Sequence, residues 1–295
     1  MDKMFLTVFT PSYNRAHLLP RLYESLCSQT NNNFIWLIID DGSKDNTKEL
    51  IEQWFKEKRI NIQYHYKENG GMHTGHNMAY QLIKTELNIC IDSDDAMPSD
   101  GVEKIQNLWE SVEDRTRIAG IIGLDAEESG KIIGNKIPDN LKQGSLDELY
   151  EKYNVKGDKK LVLRTDIVHR YPAYPEYKGE KLVPLGVLYM MIGKDYDFIY
   201  SNDVYCIVEY QLEGSSHTIL KQYKQSARGF AYSRMIEIKH SKSFSNSFKK
   251  YIHLVSSAIF AKDISLAFKG VNPLWSFIAF PYGLALNIYI RTKIK

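Results

Sequence analysis

The sequence has few cysteines, and none of them forms a pair with metal-binding spacing. Cys27, Cys90 and Cys206 are the three cysteines in 295 residues, and no Cys-x-x-Cys motif occurs. A structural zinc site or a disulfide framework is therefore not predicted. A reducing compartment is the simplest interpretation of these widely spaced cysteines. The apolar run that precedes Thr10-Pro11 is too short for a secretory signal peptide.

Two common nucleotide-binding motifs are also missing. The sequence contains no Gly-x-Gly-x-x-Gly. Gly70 and Gly75 have the spacing of a phosphate-binding loop, but His76 and Asn77 follow where such a loop requires lysine and then serine or threonine. These absences disfavour a dinucleotide-dependent dehydrogenase and a P-loop nucleotidase.

The chain carries little excess charge of either sign. Its 38 lysine and arginine residues against 36 acidic residues give +2, which argues against a nucleic-acid-binding protein. With 43% hydrophobic and 25% charged residues, the composition is that of a globular protein. The segment from Lys239 to Lys295 differs, because nine basic residues and one acid, Asp263, give it +8 and leave −6 for the rest.

Apolar runs alternate with amphipathic stretches along the first 125 residues, which predicts an α/β fold. Such alternation is typical of a mostly parallel sheet with helices on both faces. The predicted strands are Met4–Thr10, Ile35–Asp40, Ile62–Tyr66, Leu87–Ile91 and Ile118–Gly123. The predicted helices are Ala16–Ser28, Thr47–Lys58, Thr74–Lys84 and Gly101–Glu113.

The pattern is looser after residue 130, where fewer elements are predicted. Helices are expected at Ser145–Tyr153, Asp166–Arg170 and Lys181–Ile192, and strands at Phe198–Ser201 and Val204–Tyr210.

A polar cluster follows each of the first four predicted strands. These clusters are Thr10–Arg15, Asp40–Ser43, Asn69–Gly71 and Asp92–Asp95. The carboxyl ends of parallel strands meet at one edge of a sheet, and ligands bind there. We therefore expect the four clusters to form a single site.

The fourth cluster, Asp92-Ser93-Asp94-Asp95, is a candidate metal site. Residues two apart on an extended chain point the same way, so the carboxylates of Asp92 and Asp94 converge. Like charges at close range repel and need a cation, and hard oxygen ligands favour Mg²⁺ or Mn²⁺. The alternative is an acidic turn before a helix capped by Asp100.

Four runs of sequence, FTPSYNR, IIDDGSKDNT, ENGGMHTGHNMA and CIDSDD, resemble the motifs of family 2 glycosyltransferases with the GT-A fold. The motifs lie within residues 5–95 and resemble those of bacterial enzymes that build capsule, exopolysaccharide or teichoic-acid glycans. The resemblance implies a nucleotide-diphospho-sugar donor, usually linked to UDP, and a divalent metal. It also implies transfer of a hexosyl or N-acetylhexosaminyl group with inversion at the anomeric carbon.

The resemblance also assigns roles to residues near the nucleoside. Pro11, Tyr13 and Arg15 would line its pocket. Asp41, with Asp40 beside it, would accept a hydrogen bond from the imide N–H of the base.

Further roles concern the diphosphate and the metal. Asn69, Gly70 and Gly71 would let the backbone approach the donor. Asp94 would bind the metal, and Asp92 would bind the ribose or a water on the metal. Thr10, His73 and Ser93 complete the expected donor site.

One position departs from the family pattern. Met72 stands where relatives often carry lysine, so His73 or Arg15 would have to supply the cationic contact to the diphosphate. His73 and His76 could also form a metal pair, although two histidines at this spacing are more often surface residues.

Inversion requires a general base on the far side of the anomeric carbon from the leaving diphosphate. The base should therefore come from the second half of the chain. By resemblance it is Glu180, in a Gly-Glu-Lys segment before a helix, with Glu176 as a substitute. Leu185 stands where relatives often have a second glutamate. Alternatively, Glu180 has only a structural role, as a negative charge that the dipole favours at the amino terminus of a helix. The segment Glu209–Ser216 could border the acceptor.

The basic tail predicts contact with a membrane surface. A set of apolar residues at helical spacing, accompanied by lysines, indicates a basic amphipathic helix: Phe244, Phe248, Ile252, Val255 and Ile259. Leu274–Ile290 is uncharged but interrupted by Pro281 and Gly283, so an interfacial helix or shallow hairpin is expected, not a crossing. The alternative is packing on the catalytic domain or on a second subunit.

Together these features predict a donor-binding half at 1–100, an acceptor-binding half at 101–238 and a membrane-associating tail at 239–295. The expected protein is a peripheral enzyme on the cytoplasmic face of a bacterial membrane. Its expected acceptor is a glycan linked to a polyprenyl lipid. A metal-dependent nucleotidyl- or phosphotransferase and a catalytically inactive binding module are the alternatives. The sequence leaves open whether the chain forms a homo-oligomer.

Overall fold

A computed structural model describes residues 4–209, 219–241 and 244–294, with the side chains of residues 244–246 excluded. The chain packs as two units. The first comprises Met1–Pro172 with Ile192–Tyr210, and the second comprises Ala173–Met191 with Gln211–Lys295. Residues 210–218, which include most of the predicted acceptor border, lie outside the described residues.

The first unit is built on one mixed sheet. Its strands are β1 (Leu6–Ser12), β2 (Phe34–Asp40), β3 (Ile62–Tyr66), β4 (Leu87–Cys90), β5 (Ile118–Ala126), β6 (Gln143–Gly144), β7 (Lys159–Arg164) and β8 (Asp197–Ile207). Their order across the sheet is β3-β2-β1-β4-β7-β5-β8-β6.

The helices of the chain follow the same numbering. They are α1 (Leu19–Cys27), α2 (Thr47–Glu57), α3 (Met72–Leu82), α4 (Gly101–Glu110), α5 (Leu146–Glu151), α6 (Thr165–Val168), α7 (Gly186–Asp195), α8 (Ile219–Gln225), α9 (Ala227–His240), α10 (Phe244–Phe260) and α11 (Pro273–Lys293).

The four strands from β3 to β4 are parallel, and their register brings their carboxyl ends to one edge. Ser12 of β1 pairs with Asp40 of β2, and Asp40 pairs with Tyr66 of β3. On the other side of β1, Phe9 pairs with Cys90 at the end of β4. The predicted rim is therefore present.

Helices cover both faces of this parallel half. Leu6 and Val8 belong to the main core, which also contains buried residues of α1, α2 and α4. Phe9 points to the opposite face, where its ring meets the edges of His76 and Tyr80 from α3. The alternation of β1 side chains thus matches the two layers of helices, and the predicted α/β fold is confirmed.

The second half of the sheet differs from the prediction. β7 runs antiparallel between β4 and β5, whereas no strand was predicted at these residues. Its first two residues, Lys159 and Lys160, are charged, so the segment lacks the continuous apolar run that predicts a buried strand. The two strands predicted around residue 202 form one continuous strand, β8. The helices α8 and α9 were also not predicted.

In the second unit, α10 packs against both α9 and α11. Val255 is fully buried, and Phe248, Ile252 and Ile259 pack around the same small core. The prediction that this apolar face contacts a membrane is wrong at these four residues, because neighbouring helices pack against them. The side chain of Phe244 lies outside the described residues.

The helix α11 is continuous, so of the two predicted forms, an interfacial helix or a shallow hairpin, the hairpin is wrong. Gly283 faces α10, where a Cβ atom would lie 2.5 Å from Val255. Glycine at this position permits close approach of the two helices, as small residues do in tightly packed helix pairs. Pro281 lies within the helix and is exposed.

Candidate functional site

Hydrogen bonds join the loops that follow β1 and β2. The N–H of Asp41 donates to the carbonyl of Ser12 at 2.8 Å. Farther out, the N–H of Asn14 donates to Ser43 Oγ at 2.9 Å, and the N–H of Lys44 donates to Asn14 Oδ1 at 2.7 Å. Asn14 has φ of 53°, a left-handed conformation that asparagine tolerates better than most residues. The first two clusters therefore form one surface.

The carboxylate of Asp41 organises the loop after β3. Its two oxygens accept hydrogen bonds from the N–H groups of Gly70 and Gly71, at 2.8 and 2.7 Å. Lys67 Nζ and Asn69 Nδ2 donate to the same carboxylate at 2.7 and 3.0 Å. Asp41 is 4% exposed. A carboxylate has about four acceptor positions, so this one is saturated.

Both carboxylate oxygens of Asp40 also accept hydrogen bonds within the protein. Its carboxylate accepts hydrogen bonds from the N–H of Ser43 at 2.8 Å and from the hydroxyl of Tyr64 at 2.7 Å. The Asp40 carboxylate therefore fastens the turn after β2 to β3, and Asp41 fastens the glycine pair beyond it.

Thr10 and Pro11 support the rim from inside. Thr10 is completely buried; its hydroxyl donates to the carbonyl of Ile91 and accepts from Trp36 Nε1. Pro11 is buried against Gly75 of α3. The structure thus gives both residues packing roles beneath the expected donor site, whereas Tyr13 is 44% exposed at its surface.

Arg15 joins the first cluster to the fourth. Its Nη1 lies 3.1 Å from Asp94 Oδ1 and donates to Ser93 Oγ at 3.3 Å. Both the Arg15 and Asp94 side chains are partly exposed, whereas Ser93 is buried. All four predicted clusters therefore meet at one rim.

Asp92 and the histidines of α3 lie on the inner side of this rim. Cys90 Sγ is 3.9 Å from Asp92 Oδ1 and 3.7 Å from His76 Nε2. His73 and His76 are each 1% exposed, so the expectation of surface histidines is wrong. Burial lowers the pKa of His76 to about 4, which keeps its ring neutral at pH 7.

Two further residues near the rim make contacts that the sequence did not predict: Asp95, which belongs to the fourth cluster, and Arg21 of α1. Asp95 is buried and accepts hydrogen bonds from Cys206 Sγ and from the N–H of Glu209. Burial raises the pKa of Asp95 to about 6. Arg21 donates from Nη1 to the carbonyl of Asp94 at 2.8 Å. No local pattern distinguishes Arg21 from the other charged residues of an amphipathic helix.

The chemistry of the donor set fits a divalent cation that arrives with a diphosphate. Asp92 and Asp94 offer hard oxygen ligands at a partly exposed edge. Within the ranges that the structure describes, no group of three histidine, cysteine or acidic side chains is placed to hold a metal ion. Mg²⁺ and similar ions often take one or two carboxylates together with substrate phosphates, so two aspartates are sufficient.

Glu180 belongs to the second unit and sits at the amino terminus of α9. Its carboxylate accepts hydrogen bonds from the N–H groups of Arg228 and Gly229, at 3.0 and 2.9 Å. The Arg228 guanidinium lies 3.7 Å away, and the Glu180 side chain is 9% exposed. The Glu180 side chain thus caps the first turn of α9. Glu176 is exposed.

Residues 7–152 match the model of glycosyl transferase family 2. This part of the chain is therefore a family 2 glycosyl transferase domain.

Curated relatives carry similar segments. TuaG of Bacillus subtilis (strain 168), a glycosyltransferase named for teichuronic acid biosynthesis, is 31% identical over 103 residues, which cover 35% of this chain and 40% of TuaG. The glycosyltransferase GlyG of Streptococcus pneumoniae serotype 4 is 28% identical over 111 residues, covering 37% of this chain and 36% of GlyG. The matches thus span less than half the length of these relatives.

Solved structures share the fold along nearly the whole chain. Residues 1–349 of S. aureus TarS, in complex with UDP-GlcNAc, superpose with a TM-score of 0.61 and 16% identity, covering 97% of this chain and 81% of that one. The mannosyltransferase PcManGT from Pyrobaculum calidifontis, in complex with GDP-Man and Mn²⁺, gives 0.56 and 16%, covering 97% and 82%. The fold is therefore that of these GT-A glycosyltransferases.

The buried His76 predicts a stability that depends on pH. Its folded pKa lies below the unfolded value of 6.5, so stability is complete above pH 6.5 and is lost as the pH falls towards 4. We expect this group to lower the free energy of unfolding by about 2 kcal/mol between pH 7 and pH 5. Urea unfolding at both pH values measures it.

The variant His76→Gln should lose this part of the pH dependence. His17→Gln, at an exposed position, should retain it. An unchanged slope in His76→Gln would show that another group is responsible.

Proposed function

We propose that this protein is an inverting glycosyltransferase that moves a sugar from a nucleotide-diphospho-sugar to a glycan acceptor. The observation that carries the proposal is the rim of the first unit, where loops after four parallel strands are tied together and present Asp92 and Asp94 at a partly exposed edge. The family 2 domain supports transferase chemistry at this rim. The alternative of a nucleotidyl- or phosphotransferase uses similar carboxylates but matches no comparison reported above.

The donor is proposed to be a UDP-sugar, with transfer of a hexosyl or N-acetylhexosaminyl group. TarS residues 1–349 have been solved with UDP-GlcNAc on the same fold, whereas PcManGT has been solved with GDP-Man. A panel of nucleotide sugars is therefore the first test. The exposed ring of Tyr13 would line the nucleoside pocket. Gly70 and Gly71, which carry no side chain, would let the backbone approach the donor.

Base recognition by Asp41 would require a rearrangement. Its carboxylate already accepts four hydrogen bonds, so an imide N–H can bind only if a present donor leaves. Lys67 is the suitable donor to leave, because its ammonium also has the carbonyl of Glu68 and the hydroxyl of Thr74 as partners.

Asp92 and Asp94 would hold Mn²⁺ or Mg²⁺ with the diphosphate. A bound divalent cation offsets the negative charge that develops on the leaving nucleoside diphosphate. Arg15 now pairs with Asp94. When Asp94 binds a cation instead, the guanidinium of Arg15 is free to contact a phosphate oxygen, which compensates for the methionine at position 72.

Glu180 is proposed as the general base that accepts the proton of the acceptor hydroxyl. The N–H groups of Arg228 and Gly229 fix the orientation of its carboxylate. A general base must be held in one orientation to reach the acceptor hydroxyl. Glu176 remains the alternative base.

The acceptor is proposed to be a growing glycan on a polyprenyl lipid, as part of cell-surface polysaccharide synthesis. The relative TuaG is named for teichuronic acid biosynthesis. The support from this chain itself comes from α11. Among the described residues, this helix alone is long and apolar enough to cross a membrane.

Helix α11 buries small and polar residues and exposes large apolar ones, which is the opposite of a helix on the surface of a soluble protein. Its buried side carries small or polar residues: Ser276, Ala279, Gly283 and Asn287, together with Ile290. Asn287 donates to the carbonyl of Ser256, and Ser276 donates to the carbonyl of Ala267. Small and polar residues at a helix contact are typical of membrane helices.

The outer side of α11 is strongly apolar. The exposed fractions reach 71% at Phe277, 60% at Leu274 and 55% at Ile288. No charged residue lies between Lys269 and Arg291. Because the opposite side packs on α10, only the outer side can enter lipid, which favours a helix lying in the interface over one that crosses.

These features support peripheral attachment to the cytoplasmic face. The anionic lipids of that leaflet attract basic residues, and Arg291 and Lys293 end α11.

Asp94→Asn should lower turnover by about 100-fold or more, because an amide holds a cation weakly and several kcal/mol of charge stabilisation depend on that cation. EDTA should have the same effect, and added Mn²⁺ or Mg²⁺ should reverse it. The measurement is transfer of labelled sugar from the donor that the panel identifies.

Asp100→Asn is the matched control, because Asp100 lies at the start of α4 beyond the cluster. It should retain activity. Full activity of Asp94→Asn in EDTA would contradict the metal role and leave the cluster as an acidic turn. Transfer of phosphate in place of sugar would favour the alternative enzyme class.

Glu180→Gln should reduce turnover by about 100-fold or more, because it removes the proton acceptor. Binding of UDP with Mn²⁺, measured by calorimetry, should persist because the donor site lies in the first unit. A Gln side chain still accepts a hydrogen bond at the start of α9. Wild-type turnover would assign Glu180 a capping role alone, and Glu176→Gln would then be the variant to test.

The full chain should sediment with anionic vesicles more than with neutral ones, and high salt should weaken this binding without abolishing it. The double variant Phe277→Ser/Ile288→Ser should lose the salt-resistant part. Phe55→Ser, at a half-exposed position on α2, is the control and should bind as wild type does. Failure of the full chain to bind either vesicle would instead favour coverage of α11 by a second subunit.

A further inference from the structure

One side of α1 carries polar residues that bond to the backbone of the loop between β4 and α4. Arg21, Ser25 and Gln29 are spaced four residues apart, which makes them neighbours along one side of a helix. The N–H of Met97 donates to Ser25 Oγ at 3.1 Å, and Gln29 Nε2 donates to the carbonyl of Pro98 at 2.8 Å. These contacts fasten the second half of the loop, and Arg21 lies at the end of the row that faces the first half.

Arg21 binds the backbone of a proposed metal ligand. Its Nη1 donates to the carbonyl of Asp94 at 2.8 Å. Arg15 instead contacts the Asp94 carboxylate, at 3.1 Å. The Arg21 contact leaves both carboxylate oxygens of Asp94 to other partners, so it can persist when Asp94 binds a cation and Arg15 moves away.

The guanidinium of Arg21 also contacts the loops that follow β5 and β8. Its Nη2 donates to Glu128 Oε2 at 2.6 Å, and its Nε lies 3.5 Å from Glu209 Oε2. The two glutamate side chains are 79% and 51% exposed, so each ion pair alone adds little stability. Because a guanidinium is planar and carries its donors in a fixed fork, the two carboxylates hold it in one orientation toward Asp94.

The end of β8 fixes the residues that follow Asp94. The N–H of Ala96 donates to the carbonyl of Ile207 at 3.0 Å, and the N–H of Ile207 donates back to the carbonyl of Ala96 at 2.8 Å. The N–H of Glu209 donates to the carboxylate of Asp95 at 3.1 Å. The backbone is therefore held by β8 beyond Asp94 and by α1 at Asp94 itself.

We propose that Arg21 is a positioning residue that fixes the direction of the Asp94 carboxylate at the proposed donor site. A peptide unit is planar, so a hydrogen bond to the Asp94 carbonyl fixes the plane that follows the Cα atom of this residue. Without that bond, the turn populates several orientations, and only the fraction with the carboxylate at the rim edge binds a cation. The affinity falls by that fraction. This role of Arg21 rests on the proposed function, in which Asp94 binds the cation.

Arg21→Met removes the guanidinium and keeps an unbranched side chain that suits a helix. In the presence of UDP, this variant should bind Mn²⁺ about tenfold more weakly, as expected if about one tenth of the turns keep the orientation that binds. Removal of a positive charge alone would act in the opposite direction and tighten cation binding. The sign of the change therefore separates positioning from electrostatics. The electron paramagnetic resonance signal of free Mn²⁺, recorded with the full chain, measures the affinity.

Arg21→Lys keeps the charge and one donor for the Asp94 carbonyl, but an ammonium lacks the fork that also holds the two glutamates. Its Mn²⁺ affinity should fall by about threefold, between the wild type and Arg21→Met. This variant tests the proposal even if Arg21→Met does not fold.

Ser25→Ala is the matched control. It removes a hydrogen bond from the same side of α1 to the same loop, at Met97. Urea unfolding should show a loss of stability in both Ser25→Ala and Arg21→Met, because each loses a contact between α1 and this loop. The Mn²⁺ affinity of Ser25→Ala should equal that of the wild type.

The Mn²⁺ affinities of the three variants distinguish the outcomes. Weaker binding in both Arg21 variants, with wild-type affinity in Ser25→Ala, supports the positioning role. Equal weakening in Ser25→Ala would indicate a general loosening of the loop and would overturn the proposal, as would unchanged or tighter binding in the Arg21 variants. Such results leave the proposed function intact if the wild type binds Mn²⁺ with UDP and transfers sugar. If the wild type binds no Mn²⁺ with UDP or another nucleoside diphosphate, the proposed function fails as well.

Discussion

The buried carboxylate of Asp41 is the contact on which the rest of the rim depends. It lies at the end of β2 and receives four hydrogen bonds from the loop after β3, while its own N–H bonds to the loop after β1. A partly buried N–H group without an acceptor costs about 1–3 kcal/mol, and the Asp41 carboxylate removes this cost at Gly70 and Gly71. The Asp41 side chain thus fixes the loop after β3 against the end of β2, and its backbone N–H ties that end to β1.

Charge compensation is the second constraint. Asp92, Asp94, Asp95 and Asp125 approach one another at the end of the parallel strands, and acidic groups at such distances repel. Arg15 meets this cluster from the solvent side, while Arg21 binds the backbone of the same turn. These contacts hold the turn in place, and Asp92 and Asp94 keep partly exposed oxygen ligands at its edge.

In the second unit, the two long helices α10 and α11 differ in whether their apolar sides are buried or exposed. The apolar side of α10 is covered by neighbouring helices. Helix α11 instead turns its small and polar residues inward and leaves large apolar ones exposed. Gly283 makes this arrangement possible, because any larger residue would collide with Val255. The apolar area available for a lipid surface therefore belongs to α11 and not to the helix whose periodicity first indicated it.

Local patterns predicted the parallel half of the sheet well. Short apolar runs followed by glycine, asparagine and aspartate identified the first four strands and their turns, and parallel pairing requires that such turns meet at one edge. The positions of Asp41, Arg15, Asp92 and Asp94 at the rim could thus be predicted from the sequence alone. Its resemblance to family 2 glycosyltransferases was confirmed by the match over residues 7–152.

Only the tertiary structure decided what each of these groups contacts. β7 joins the sheet from a distant part of the chain, so no local pattern could place it beside β4. Thr10 looked like a ligand-binding residue because it sits in the motif, but Trp36 and Ile91 occupy its hydroxyl. Amphipathic periodicity shows that α10 has an apolar side, but whether protein or lipid covers that side depends on helices that pack against it. Sequence therefore determined which residues end the parallel strands, because apolar runs and the turn residues that follow them are local features of the chain. Burial and charge pairing depend on contacts between distant segments, and these were decided by the fold.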